Sequence, residues 1–116
     1  MKTIKEIAED YNKMADKEEH LIEPITIQSA EEFEKLLKDN KITGYTIVPS
    51  YLGEICFEWD TKKPTSLGVS IDSTEHAILE HLDHRVLGDF FIQAFNLNIE
   101  EETDELISIL LELTND

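Results

Sequence analysis

The stretch GEICFEWD, Gly53 to Asp60, constrains the fold more than any other part of the chain. Ile55, Phe57 and Trp59 alternate with Glu54, Cys56, Glu58 and Asp60. An extended backbone sends successive side chains to opposite faces, so the bulky apolar groups fall on one side and the carboxylates, with a lone thiol, on the other. That pattern requires a sheet with one packed face and one wet face, which antiparallel pairing supplies. Tyr45 to Val48 and Leu67 to Ile71 flank it as further strands, joined through Pro49–Gly53 and Thr61–Ser66, and the three segments read as a meander.

The surrounding sequence reads as helical. Thr3 and Glu6 form a capping box ahead of Ile4, Ile7, Ala8, Tyr11, Met14 and Ala15, which share one helical face, and this helix is expected to fade near Glu18 to His20. Ile22 to Gln28, with Pro24 near its start, reads as a short strand or extended arm. Ser29 with Glu32 reads as a second capping box, opening a helix through Phe33, Leu36 and Leu37. Asp72 or Ser73 caps a predicted helix through EHAILEHLDHRVL with Ile78, Leu79, Leu82 and Val86 inward, and Phe90 to Phe95 is expected to be buried from more than one side. Asn98 and Glu101 form another capping box before a last helix carrying Leu106, Ile107, Leu110, Leu111 and Leu113. The expectation is therefore a single α+β domain over residues 1–116: a small three-stranded antiparallel meander, with room for a fourth short strand, against four to five helices.

Charge is the other strong signal. With 26 acidic and 10 basic residues the net charge is -16, about twice the upper end of the range usual for a small domain. Arg85 is the last basic residue, and eight acids follow it without a counter-charge. Direct binding to nucleic acid or to an anionic membrane is disfavoured by such a surface, and a basic protein partner is favoured. No apolar run approaches the roughly 20 residues a membrane span needs, the N-terminus has no apolar h-region, and one cysteine allows no internal disulfide, so a cytoplasmic setting is expected.

Signals for catalysis are weak. His76, Glu80 and His84 would lie on one helical face, but positions eight apart are separated by about 12 Å along a helix. Only a neighbouring pair, Glu80 with His84 or His81 with His84, would share an ion, and a solvated helix surface is the simpler reading. Cys56 lies between Glu54 and Glu58, which hold its thiol protonated. The acid runs lack calcium-loop spacing, and the four glycines, at 44, 53, 68 and 88, form no phosphate-cradling motif. No catalytic residue, metal or cofactor is expected.

What remains is the acidic surface. Glu54, Glu58 and Asp60 form one candidate contact surface, and Glu100, Glu101, Glu102, Asp104 and Glu105 form another. The expected role is a non-catalytic binding protein, monomer or homodimer, that occupies the basic surface of a nucleic-acid-binding protein or nuclease, as inhibitors carried by phages and mobile elements do. An immunity protein against a basic toxin is the same physical idea. The alternative is an accessory or oligomerisation domain using an apolar contact at Phe90, Phe91 and Phe95.

Overall fold

A computed structural model describes residues 2–16, 20–60, 65–83 and 90–114. The elements, in chain order, are α1 (Ile4–Met14), α2 (Pro24–Asp39), β1 (Tyr45–Pro49), β2 (Ile55–Asp60), β3 (Thr65–Ile71), β4 (His76–Asp83), β5 (Phe90–Asn96) and α3 (Glu100–Thr114). All five strands form one antiparallel sheet whose spatial order is the chain order. The fold is α+β, as the alternation implied. The expected three-stranded meander with four to five helices is replaced, among the described residues, by five strands and three helices.

The largest correction is at HAILEHLD, which forms β4 rather than a helix. Ile78, Leu79 and Leu82 fit a helical stripe, but as a strand they divide between the two faces. Ala77 and Leu79 are buried on one face, while Ile78 and Leu82 are half-buried on the other. Pairing with β3 on one side and β5 on the other overrides the helix propensity of Ala, Leu and Glu. Asp72 does cap, but it caps a turn. Its Oδ1 accepts from the Thr74 N–H at 2.9 Å, and Glu75 then takes a φ of 62°, turning the chain back into β4.

Three further expectations change. Pro24 opens α2 at its first position instead of marking an extended arm, so Ser29 lies buried inside that helix and does not cap it. Phe90 to Phe95 is edge strand β5: Phe95 is fully buried, but Phe91 and Ile92 are 42% and 50% exposed. Before α3, the side chain that reaches back is Glu102, which accepts from the Asn96 N–H at 3.2 Å, while Asn98 bonds Glu75. The Thr3–Glu6 capping box of α1 is formed as expected; the helix ends at Met14, and its expected fading point partly lies outside the described residues, as do His84 and Gly88.

The three helices cover one face of the sheet. Ile55, Phe57, Trp59, Leu67, Val69, Ile71, Ala77, Leu79 and Phe95 are buried against Ile4 and Ala8 of α1, Phe33 and Leu37 of α2, and Leu106 and Leu110 of α3. Phe57 is central: its ring lies 5.1 Å from Phe33 and 5.6 Å from Tyr45, both edge-on, an arrangement that adds about 1 kcal/mol per pair to simple burial. The Trp59 indole donates to the Thr43 carbonyl at 3.1 Å, satisfying its one polar atom. Gly53 in the β1–β2 turn has a φ of +81° and lies under the chain at His20 and Leu21, where the His20 N–H donates to the Tyr51 carbonyl at 3.1 Å.

Candidate functional site

Because the helices occupy one face, the other face of the sheet is bare among the described residues, and strand register decides what it displays. Glu58, Gly68 and Glu80 are successive cross-strand partners, continued by Thr46 on one side and Ile92 on the other. Gly68 has no side chain, so the two exposed carboxylates flank an open notch, their backbones about 9.6 Å apart at two strand spacings. A groove of about 420 Å³ runs over this notch, lined by Glu58, Asp60, Ser66, Glu80 and Leu82 among others. A Cβ at Gly68 would meet only the Phe57 carbonyl oxygen, at 3.5 Å, so the notch is not imposed by crowding beneath it.

One row along, Val48, Cys56, Ser70, Ile78 and Ala94 are partners, with Cys56 Sγ 3.4 Å from Ser70 Oγ. Burial raises the Cys56 pKa, and Glu54, Glu58 and Glu80 push the same way against the Ser70 hydrogen bond. The carboxylate neighbours noted in the sequence thus act on the thiol, but burial is the larger cause. Glu54 is itself half-buried beside the face. Desolvation raises its pKa first and Asp72 and Glu80 add to the effect, opposed by a hydrogen bond from Ser50.

Charge divides between the two layers. No strand contains a lysine or arginine, and every lysine among the described residues belongs to α1, α2 or the turns beside them. Lys2 pairs with Asp10 at 2.6 Å and Lys38 lies 3.8 Å from Glu34, so these cations are engaged within the helical layer. The bare face carries Glu58, Asp60 and Glu80 with no cation among its described residues.

The two sequence-predicted clusters do not occupy one face. Glu58 and Asp60 lie on the bare face, whereas α3 packs with the other helices on the covered one. Glu100, Glu101, Glu102, Asp104 and Glu105 begin beyond the Asn96 end of β5, the same end of the sheet as Glu54, Asp72 and Glu75. They extend an acidic rim rather than the groove. Glu102 is also occupied by the Asn96 N–H, which leaves Glu100, Glu101, Asp104 and Glu105 as the exposed members. Glu80 and Gly68 are the residues the sequence reading missed; the cross-strand pairing that unites them with Glu58 becomes visible only once HAILEHLD is placed as a strand.

Two other features offer little chemistry. A larger cleft of about 660 Å³ between α1, α2 and β1 is lined by Ile7, Ile42, Tyr45 and Ile47, with Lys2, Glu34 and Lys38 at its polar margin. The Tyr45 hydroxyl donates to Glu34 at 2.9 Å, and burial followed by that contact pushes its pKa up to about 12. The cleft's polar groups therefore satisfy one another rather than converge on an occupant. His76 Nδ1 lies 2.9 Å from the Thr74 carbonyl oxygen, and His76 and Glu80 are four residues apart on an extended strand, about 13 Å. Among the described residues no group of three or more His, Cys, Asp or Glu is placed to hold a metal ion, and no helix is long and apolar enough to cross a membrane.

Comparison of the chain with family models, with curated proteins and with solved structures finds no match.

Proposed function

We propose that the chain is a non-catalytic binding protein whose bare sheet face occupies a basic surface of another protein. The observation that supports this is the separation of charge among the described residues: Glu58, Asp60 and Glu80 stand on a sheet face that carries no described cation and no described helix, while the described lysines are in the opposite layer. The paired strands that carry these carboxylates need little ordering on binding, so attraction to a basic groove is not lost to loop entropy. A groove built to accept a polyanion, in a nuclease, a nucleic-acid-binding protein or a basic toxin, is complementary to such a face. The role is inhibition by occupancy, and no step of it needs a nucleophile or a metal.

The test is a double charge reversal, Glu58→Lys with Glu80→Lys. Both side chains are exposed, so the fold is retained, checked by an unchanged far-UV spectrum. Capture of a basic partner from host lysate is expected at low salt, to fall steeply as salt rises, and to be lost in the double variant. Capture that is indifferent to salt and to both reversals refutes the reading.

A further inference from the structure

The two edges of the sheet differ in protection. β1 has five residues and ends in Pro49, which lacks an N–H; β5 has seven, FFIQAFN, with neither a charge nor a proline, in a chain that is 31% charged. Edge strands usually carry such devices because unpaired amides template the pairing of another strand.

The directions of the β5 amides follow from Asn96. Its N–H donates to Glu102 and its carbonyl accepts from the Ile99 N–H at 3.1 Å, so both groups face away from β4. Antiparallel ladders alternate, which turns Ala94, Ile92 and Phe90 outward in the same way and leaves Phe95, Gln93 and Phe91 bonded to β4. Among the described residues, nothing meets the outward main-chain groups of Ile92 and Ala94, whereas Asn96 is already satisfied by the start of α3.

We propose that this edge pairs antiparallel with the same edge of a second copy, about a two-fold axis at Ile92. This register sets Ile92 opposite Ile92 and Phe90 opposite Ala94, matching outward residues with outward residues and leaving Asn96 outside the pairing. A register centred on Gln93 would instead spend an outward group on Asn96, which has none free. The strand's neutrality selects the occupant. It gives a basic partner nothing to read, while the half-exposed Ile92 side chains would cover one another on the bare face and the 42% exposed Phe91 would lie beside Gln93 of the second copy. The net charge of -16 on each copy opposes the approach, so screening favours this contact, the reverse of its effect on the basic-partner interaction.

Sedimentation equilibrium of the full chain at about 0.05 and 0.5 M salt tests the pairing. The expected mass rises with concentration from 13.4 kDa toward twice that value, at lower concentration in high salt. Ile92→Pro removes an outward N–H without touching the β4 ladder, and Ile92→Lys puts charge on the axis; each is expected to weaken association tenfold or more. If the proline variant fails to fold, the lysine variant decides. A mass of 13.4 kDa at every concentration and salt, or unaltered association in Ile92→Lys, overturns the proposal.

Discussion

Substituting Gly53 by alanine tests how the N-terminal segment is held to the sheet. Gly53 and Gly44 have nearly the same backbone, with φ of +81° and +85°, but different surroundings. A Cβ at Gly44 meets nothing within 4 Å, so Gly44→Ala carries only the left-handed penalty of about 1–2 kcal/mol, part of which is offset because alanine also restricts the unfolded chain. A Cβ at Gly53 falls 2.9 Å from the Leu21 carbonyl oxygen and 3.2 Å from the His20 Cβ. Main chain must therefore move, and the moving segment carries the His20 N–H to Tyr51 bond and the two bonds joining Asn12 to Ile22, at 2.8 and 3.0 Å. Losing one or two of these adds about 1–3 kcal/mol, bringing Gly53→Ala to roughly 2–5 kcal/mol in all. Urea denaturation of both variants, with unchanged m-values, gives the difference directly. Equal destabilisation by the two substitutions would show that the segment at residues 20–22 does not press on the turn as described.

Other consequences can be checked independently. Because burial, then Asp72 and Glu80, raise the Glu54 pKa above 4.5 in the fold, the native state binds the proton more tightly than the unfolded chain. Stability is then lost as pH rises from that ordinary value through the raised one, and Glu54→Gln is expected to raise the thermal midpoint at pH 7 while flattening this part of the pH profile. A midpoint lowered at pH 7 counts against it. Gly68→Thr places a β-branched residue in a strand where its Cβ makes only an ordinary contact, so stability should be unchanged or rise by up to about 1 kcal/mol while the notch between Glu58 and Glu80 fills and capture of a basic partner weakens. The Cys56 thiol, held protonated by burial and by its three glutamates, should label with a disulfide reagent at pH 8 at least tenfold more slowly in the native protein than in urea; equal rates would contradict its environment.

The parts of the fold legible from sequence were those where one periodicity stood alone. GEICFEWD has no helical reading, so β2 and its two neighbours could be placed, with Ile55, Phe57 and Trp59 in the core. HAILEHLD fits a helical stripe and lacks the alternation that marks β2, and nothing local shows that two strands flank it; the choice is made by β3 and β5, which are distant information. Asp72 shows the same limit on a smaller scale, since a carboxylate accepting a nearby N–H begins a turn as readily as a helix. For the candidate site, Glu58 and Asp60 were accessible from alternation alone, but Glu80 was hidden inside the misassigned helix. The place of the cluster after Glu100 was not legible either: adjacency in sequence does not bring it to the face that Glu58 occupies.

The sheet's order also governs how the chain can assemble. Each strand pairs only with its neighbours in sequence, so every new strand closes one short hairpin and no segment has to wait for a distant partner. A chain emerging from its N-terminus can thus complete β1 through β3 beneath α1 and α2 before β4 exists, and each strand in turn is an exposed edge until the next one arrives. β5 is the last of the series, and the short turn into α3 follows it directly, with Glu102 closing only the Asn96 end. Among the described residues the chain passes from β5 into α3 rather than into another strand, so this last strand keeps the open side that each of its predecessors held only transiently.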